Sequence, residues 1–165
     1  MSASSNGVGT ILIPASFGQL ALHFDRHRPL KIVIRPEPVA IFERSSVIPG
    51  HCVLLLDELM DYLGSVAPCF QSIPDHRGTP FQERVWAALR AIPPGEVRTY
   101  GEIAGAIGSG ARAVAGACRA NPFPLVTPCH RVVGAADLGG YCGSQDEPYL
   151  AIKRSLLVLE GWQGF

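Results

Sequence analysis

Two helix-start signals in the second half of the chain constrain its fold most strongly. Thr79–Gln82 and Thr99–Glu102 each place a threonine three residues before a side chain that can bond back to the threonine N–H, the pattern of a capping box. Pro80 suits the first helical position, Pro93–Gly95 ends the first pattern, and Gly108 ends the second. Apolar residues follow each signal at helical spacing: Phe81, Val85, Trp86 and Leu89, then Tyr100, Ile103, Ala104 and Ile107. The sequence therefore predicts two short amphipathic helices.

A third helix is predicted from about Ala111 to Ala120, after a short glycine-containing turn. The second and third helices form a helix-turn-helix candidate, although such pairs also occur in many other domains. One face of the third helix carries Val114, Ala117 and Cys118, and the other carries Arg112, Ala115, Gly116 and Arg119. A face so slim suits a phosphate backbone or the narrow minor groove, and it lacks the side chains that read bases. This favours binding that ignores sequence.

The stretch Leu125–Val133 carries the most distinctive chemistry. Two apolar runs predict two short buried strands, with Pro128-Cys129-His130-Arg131 between them. Pro128 stiffens the chain before Cys129, and a neighbouring base or positive charge could make the thiolate accessible. A buried structural cysteine is the alternative. Asn121, just upstream and followed by proline, can hydrogen-bond a turn.

A last helix is predicted from Pro148 to Glu160, closed by Gly161. Its apolar stripe comprises Tyr149, Ile152, Leu156 and Leu159. Glu160 lies at the negative end of the helix dipole, which disfavours a carboxylate by about 0.3–1 kcal/mol. Protonated His130 as its partner is one interpretation, and a tolerated surface glutamate is the other.

The first half, residues 1–75, predicts a small α+β scaffold domain, followed by a domain over residues 76–165. Ile11 to Val33 reads as β structure, and Ser65 to Gly78 reads as a linker. Cys52 to Leu63 predicts a helix with one apolar stripe, formed by Val53, Leu56, Met60 and Leu63.

Composition excludes several classes of function. The net charge is zero, which argues against a broad polyanion-binding surface; residues 1–75 hold five Lys and Arg against seven Asp and Glu, and residues 76–165 hold nine against seven. Any nucleic-acid contact should therefore be local and lie in the second half. Five cysteines without a Cys-x-x-Cys pair argue against a disulfide framework and a structural zinc site. Ordinary surface histidines explain His23, His27 and His51 better than a metal site with Cys52.

No apolar run approaches the roughly 20 residues of a membrane span, and no secretory signal is visible at the N-terminus. We therefore expect no membrane association and a cytoplasmic location, or a nuclear one if the source is eukaryotic.

In its second half the chain resembles the O6-alkylguanine-DNA alkyltransferases (methylated-DNA–protein-cysteine methyltransferases). The matching motifs occur in the family's order and comprise Gly78–Gln82 with Val85-Trp86, Ile92-Pro93 with Gly95, Tyr100-Gly101 with Ala104, Arg112-Ala113-Val114, Asn121-Pro122, Pro128–Val133, Gly139-Gly140-Tyr141, and Leu156-Leu157 with Glu160. Residues 1–77 match only in general form, because the family has a variable N-terminal α+β domain there. The resemblance implies an α+β protein with a small ribonuclease-H-like sheet-plus-helix domain followed by a mainly helical winged-helix or helix-turn-helix-like domain.

The resemblance also implies roles for individual residues. Cys129 accepts the alkyl group, His130 acts through a water as its base, and Glu160 orients His130. Asn121 braces the turn that holds the thiol, and Tyr100 lies near the flipped nucleotide and can donate a proton to guanine. The implied DNA-binding residues are Tyr100, Ala111, Arg112, Ala113, Ala115, Gly116 and Arg119, with Arg112 filling the gap left by the flipped nucleotide. The implied pocket residues are Pro128, Val132, Tyr141, Cys142 and Gly143.

The implied activity is DNA repair by irreversible transfer of the alkyl group of O6-alkylguanine, and of O4-alkylthymine, to Cys129. The implied partner is double-stranded DNA bound through its minor groove by a monomer, without a metal or organic cofactor. A binding module that marks alkylated bases, a winged-helix regulator and a Cys-His hydrolase are the rival functions. The known reader modules lack the cysteine, the third helix is poor at reading bases, and no oxyanion site for a hydrolase is visible.

Two departures from the family pattern concern the pocket. The segment between Val133 and Tyr141 is one residue shorter than usual, and the segment between Tyr141 and Lys153 is about five residues longer. Cys142 stands where a serine or another small residue is common, and is either a second reactive thiol or a passive lining residue. The preferred size of the alkyl group therefore cannot be taken from the family.

Overall fold

The computed structural model describes residues 8–37, 48–64, 70–75 and 77–164. Contacts divide the chain into two compact units, Met1–His76 and Arg77–Phe165. Part of the predicted linker, residues 65–69 and 76, lies outside the described residues. None of the helices in the described ranges combines the length and the apolar character that crossing a bilayer requires.

The first unit contains an antiparallel sheet of three strands, β1 (Gly9–Ala15), β2 (Gly18–Phe24) and β3 (Pro29–Arg35), in that order. The predicted β structure is thereby confirmed. Alternate side chains point to one face, where the sheet buries six apolar residues: Ile13, Leu20, Leu22, Phe24, Ile32 and Ile34.

Helix α1 (Gly50–Leu63) confirms the predicted helix but corrects its apolar stripe. Its buried residues are Cys52, Leu55, Leu56, Leu59 and Tyr62. Val53 and Met60, predicted to face the core, are 43% and 57% exposed. The prediction was wrong because the helix has apolar residues almost all round, and the face with Tyr62 and three leucines buries more apolar surface.

The second unit is mainly helical, with α2 (Pro80–Arg90), α3 (Tyr100–Ile107) and α4 (Ala111–Arg119) followed by α5 (Glu147–Leu159). Both predicted capping boxes are confirmed, since each threonine hydroxyl accepts from the third helical N–H and Gln82 or Glu102 accepts from the threonine N–H. Gly108 ends α3 in the left-handed conformation, with φ +68°. This turn sets α3 against α4 in the predicted helix-turn-helix arrangement.

A parallel pair of two-residue strands, β4 (Arg98–Thr99) and β5 (Val132–Val133), joins the helix-turn-helix to the Cys129 segment. Arg98 pairs with Val132 and Thr99 with Val133, so the start of α3 lies beside the residues that follow His130. The pairing therefore brings Tyr100 and Cys129 to the same region of the unit.

The first of the two strands predicted around Cys129 does not form. Leu125 has φ +77°, and the Thr127 N–H donates to the Phe123 carbonyl, so residues 123–127 form a buried turn. The prediction was wrong because Pro122 and Pro124 remove two backbone donors and interrupt any ladder.

Loss of one capping threonine should measurably weaken the second unit. We expect Thr79→Ala to lower the free energy of unfolding by about 1 kcal/mol, because an exposed helix N–H loses its acceptor. Thr79→Ser keeps the oxygen and should stay within about 0.5 kcal/mol of the parent. Urea unfolding followed by tryptophan fluorescence measures this unit, because both tryptophans, Trp86 and Trp162, lie in it. Equal losses in the two variants would contradict the capping role.

Candidate active site

Cys129 begins a single 3-10 turn, Cys129–Arg131, that leads directly into β5. The residue is 7% exposed, and it lines a cavity that opens to the surface of the second unit. Its backbone N–H donates to the Thr127 carbonyl at 2.8 Å. The thiol is therefore both fixed in place and reachable from the cavity.

Asn121 closes the turn that precedes Cys129. Its Nδ2 donates to the Thr127 carbonyl at 2.7 Å, and its Oδ1 accepts from the Phe123 N–H at 3.0 Å. One side chain thus replaces the ladder bonds that a strand would have supplied. The geometry agrees with the predicted bracing of the turn.

Glu160 is the acceptor for two neighbours of Cys129. Its Oε1 lies 2.8 Å from His130 Nε2, and its two oxygens accept from Arg131 Nη2 and Nε at 2.8 Å each. The Glu160 side chain is 1% exposed and that of His130 is fully buried. Arg131 also donates to the Ile92 carbonyl at 2.6 Å. The sequence analysis assigned Arg131 no role, yet its guanidinium is the permanent cation beside Glu160.

Burial favours an uncharged imidazole at His130. Burial lowers the pKa of His130, against the opposing influence of Glu160. Although burial raises the pKa of Glu160, hydrogen bonds and charges from His130 and Arg131 outweigh it and hold that pKa far below its ordinary value. The ionised carboxylate therefore accepts a hydrogen bond from the Nε2–H of His130, which leaves the lone pair of the ring on Nδ1. The interpretation that pairs Glu160 with His130 is thus confirmed for the contact, although the lowered pKa favours an uncharged His130, and Glu160 is not a surface glutamate.

The thiol is also uncharged at rest. Burial raises the pKa of Cys129, while hydrogen bonding from Asn121 and the charge of Lys153 act in the opposite direction. Because a thiol is a weak nucleophile, the reaction of Cys129 requires removal of its proton when a substrate is in place.

Lys153 is a functional residue that the sequence analysis missed. Its ammonium is fully buried and donates to the carbonyls of Val132, Leu138 and Gly140 at 2.6, 2.6 and 3.0 Å. Burial lowers its pKa to about 8, against the attraction of the nearby thiols and Asp137. It ties the strand after Cys129 to the loop around Gly140. The sequence held one signal that could have identified Lys153. Its spacing places it on the buried face of α5, one turn before Leu156 and two turns before Glu160.

The cavity has a volume of about 320 Å³, which is within the ~300–1,000 Å³ range of small-molecule sites. Its lining draws on α3, α4, the Cys129 turn and the loop before α5: Tyr100, Ala115, Cys118, Arg119, Cys129, Gly134, Asp137, Gly139, Gly140, Tyr141, Cys142, Gly143, Ser144 and Gln145. Of the predicted pocket residues, Tyr141, Cys142 and Gly143 belong to it. Pro128 and Val132 are buried and do not line it; Val132 instead presents its carbonyl to Lys153.

One wall of the cavity is a tight hairpin. Tyr141 and Ser144 exchange backbone hydrogen bonds at 2.8 and 2.9 Å, and the residues between them, Cys142 and Gly143, have φ of +50° and +79°. Two left-handed residues at the centre define a type I′ turn. The glycine-rich segment is thus a defined wall whose tip presents Cys142.

The predicted DNA-binding residues lie on and beside α4. Four of them are exposed at its outer face, Ala111, Arg112, Ala113 and Gly116, as is Arg119 at its end. Ala115 is half-buried and, with Arg119, lines the cavity. Tyr100 opens α3, and burial strongly raises the pKa of its phenol, so it remains a proton donor. The slim face and the cavity are therefore contiguous.

The described residues include no cluster of three or more His, Cys, Asp or Glu side chains placed to hold a metal ion. The chemistry available at the site is that of a buried thiol, an imidazole hydrogen-bonded to a carboxylate, and a phenol.

Removal of the Glu160 charge should destabilise the second unit and change its response to acid. We expect Glu160→Gln to cost about 3–5 kcal/mol, because Arg131 is left as an uncompensated buried charge. The low pKa of Glu160 adds stability that is complete above about pH 5 and is lost as the pH falls, so the parent should lose unfolding free energy below about pH 5 more steeply than Glu160→Gln. Urea unfolding at several pH values measures both effects. Parallel pH profiles would contradict the assigned charge.

Comparison with known proteins identifies the family of the chain. Residues 80–162 match the model of the 6-O-methylguanine DNA methyltransferase DNA-binding domain. A methylated-DNA–protein-cysteine methyltransferase of Mycobacterium tuberculosis is 46% identical over 115 residues, which cover 68% of this chain and 67% of the relative. The Salmonella typhimurium protein of the same name is 48% identical over 124 residues, covering 72% and 71%.

Solved structures extend the match to almost the whole chain. The crystal structure of M. tuberculosis O6-methylguanine methyltransferase aligns with a TM-score of 0.73 at 37% identity, covering 93% of this chain and 92% of that one. The M. tuberculosis OGT structure in complex with DNA aligns with a TM-score of 0.75 at 36% identity, covering 92% of each chain. The predicted resemblance and the two-domain α+β fold are confirmed, and the chain belongs to the 6-O-methylguanine DNA methyltransferase family.

Proposed function

We propose that this chain repairs DNA by transferring the alkyl group of an O6-alkylguanine, or of an O4-alkylthymine, to the sulfur of Cys129. The observation that carries the proposal is a thiol that lines a small-molecule cavity next to an imidazole whose other nitrogen is held by a buried carboxylate. The relatives described above are named methylated-DNA–protein-cysteine methyltransferases, which supports the same activity.

The target base must leave the duplex to reach the cavity, at a cost of a few kcal/mol in lost stacking and pairing. The exposed face of α4 enters the minor groove, where its alanines and glycine allow close approach. Arg112 occupies the space that the base vacates and offsets part of the cost. Since this face offers few groups to read bases, binding is largely independent of sequence. We propose that the protein acts as a monomer, because the acceptor thiol, the imidazole and the outer face of α4 all lie in the second unit.

The chemistry begins with proton removal from Cys129. His130, with its Nε2–H held by Glu160, accepts the thiol proton through a water at Nδ1. The thiolate attacks the alkyl carbon, the carbon–sulfur bond forms, and the bond from carbon to the O6 oxygen breaks. Tyr100 donates a proton or a hydrogen bond to the departing guanine.

The reaction stops at the thioether. A thioether has no carbonyl for water to attack, so the alkyl group stays on Cys129 and each molecule acts once. Lys153 keeps the wall around Gly140 in place while the base is bound, since its ammonium holds three carbonyls there.

Intact-mass measurement tests the proposal directly. After incubation with a duplex containing O6-methylguanine, we expect the protein to gain the mass of one methyl group, and Cys129→Ala to gain none. The same duplex with unmodified guanine is the control. If the protein binds the methylated duplex but gains no mass, it is a binding module that marks damaged bases.

Arg112 provides a second test, which separates base extrusion from chemistry. We expect Arg112→Ala to slow repair in duplex DNA by about tenfold or more, because the flipped state loses its support, and to change reaction with the free O6-alkylguanine base by no more than about twofold. Arg84→Ala is the matched control, because Arg84 is exposed on α2 and lies over Phe81. Equal slowing with both substrates would assign Arg112 a structural role.

A further inference from the structure

The cavity that holds the acceptor thiol also holds Cys118 and Cys142 in its lining. Cys118 lies on α4. Cys142 lies at the tip of the Tyr141–Ser144 hairpin, which forms another part of the cavity wall. The single transfer described above uses neither of them. All three cysteines line one cavity of about 320 Å³, and the charge of an ionised Cys129 acts on both Cys118 and Cys142. An alkyl group on Cys129 therefore lies in the cavity that both of these residues line.

The position of Cys142 is fixed by its surroundings. The type I′ turn holds its backbone, and the side-chain stem of Arg119 packs against Gly143, where an added Cβ would lie 3.2 Å from Arg119 Cγ. The turn and this contact therefore place Cys142 in the cavity wall.

The electrostatics couple Cys142 to the state of Cys129. The pKa of Cys142 is raised to about 12, first by desolvation and then by the negative charge that Cys129 carries when it ionises, while hydrogen bonding to Tyr141 and the charge of Lys153 lower it. Cys118 has a pKa raised to about 12 by the same two causes, and only Lys153 opposes them. Once alkylated, Cys129 can no longer ionise, so it places no negative charge beside Cys142 after the first transfer. The two stabilising influences on the Cys142 thiolate then remain, and one of the opposing influences is gone.

We propose that Cys142 is a second, trapping nucleophile that captures alkyl groups carrying a second leaving group, with O6-(2-haloethyl)guanine as the substrate class. The proposal rests on the proposed function, because Cys129 must first accept the haloethyl group. In the first step the carbon–sulfur bond to Cys129 forms and guanine leaves. In the second, the Cys142 sulfur attacks the carbon that carries the halogen, the halide leaves, and the Cys142 proton passes to water. The product is an ethylene bridge between the two sulfurs.

This second step has a chemical purpose. A 2-haloethyl thioether is itself an alkylating agent, since its sulfur assists loss of the halide, and DNA is the nearest competing nucleophile during repair. A thiol in the same cavity reacts intramolecularly and gains a high effective concentration. The trap therefore prevents a repaired lesion from becoming a covalent protein–DNA link.

The test is mass spectrometry after reaction with a duplex carrying freshly prepared O6-(2-chloroethyl)guanine. We expect the protein to gain the mass of an ethylene bridge without chlorine, and proteolysis to give one linked peptide pair that joins Cys129 to Cys142. In Cys142→Ser we expect a hydroxyethyl group on Cys129 instead, formed by water, together with more protein linked to DNA. In Cys118→Ser, the matched control, the bridge should persist. Each variant is scored by the bridged share of its alkylated molecules, which does not depend on its rate of transfer.

Two outcomes would overturn the proposal. One is a chloroethyl or hydroxyethyl adduct without any bridge in the parent protein, and the other is a linked peptide that contains Cys118 in place of Cys142. An O6-methylguanine duplex, treated in parallel, separates this inference from the proposed function. If the methylated duplex gives a methyl adduct but the chloroethylated duplex gives no bridge, the trap alone is refuted. If neither duplex gives an adduct, the transfer to Cys129 itself is refuted.

Discussion

The buried bonds from Glu160 to His130 and Arg131 are the interaction on which the site depends. They connect the end of α5 to the turn that contains Cys129, and Arg131 continues the connection to the Ile92 carbonyl beyond α2. A carboxylate at a helix C-terminus is disfavoured by about 0.3–1 kcal/mol, but charge-assisted hydrogen bonds contribute more than that. The position of Glu160 is therefore favourable only while its donors are present. Because His130 and Arg131 follow Cys129 directly, the same bonds fix the thiol.

Burial leaves two side chains of this site uncharged and one charged. This combination of charges suits a nucleophile that acts once. Desolvation keeps both the Cys129 thiol and the His130 imidazole uncharged, while Glu160 stays charged because it has a permanent cation beside it. An uncharged thiol resists attack by stray electrophiles in solution. A protein that is consumed by its reaction benefits from this, since each unintended alkylation removes one molecule from use.

Local patterns in the sequence predicted much of this structure. The capping boxes and Gly108 were reliable signals because each is a short-range bond or backbone requirement that does not depend on distant residues. The stripe of α1 and the strand before Cys129 were predicted wrongly, because both depend on which tertiary partners bury an apolar residue. Lys153 was missed for a related reason. Its ammonium is satisfied by three backbone carbonyls, and backbone acceptors leave no trace in the sequence.

The sequence itself suggested a reactive Cys129 and a pairing of His130 with Glu160, and the resemblance added the roles of alkyl acceptor, base and orienting carboxylate. Arg131 as the cation required coordinates. Sequence alone gave no reason to prefer Arg131 over His130, since both neighbour Cys129 and both can pair with a carboxylate. Burial decides between them, because a guanidinium keeps its charge in a desolvated site and an imidazole loses it.

The extra length between Tyr141 and Lys153 shows which parts of the site can vary. Lys153 and Glu160 lie seven residues apart on the buried face of α5, so both keep their positions relative to Cys129 as long as the helix docks in the same way. The expected extra length includes Gln145 to Pro148, from the end of the hairpin into the first turn of α5, and Gln145 lines the cavity beside Ser144. Insertions in this segment reshape the pocket wall without moving the His130 imidazole or the Glu160 carboxylate. In the proposed mechanism, the size and chemistry of the accepted alkyl group can therefore change while the proton transfer to His130 stays the same.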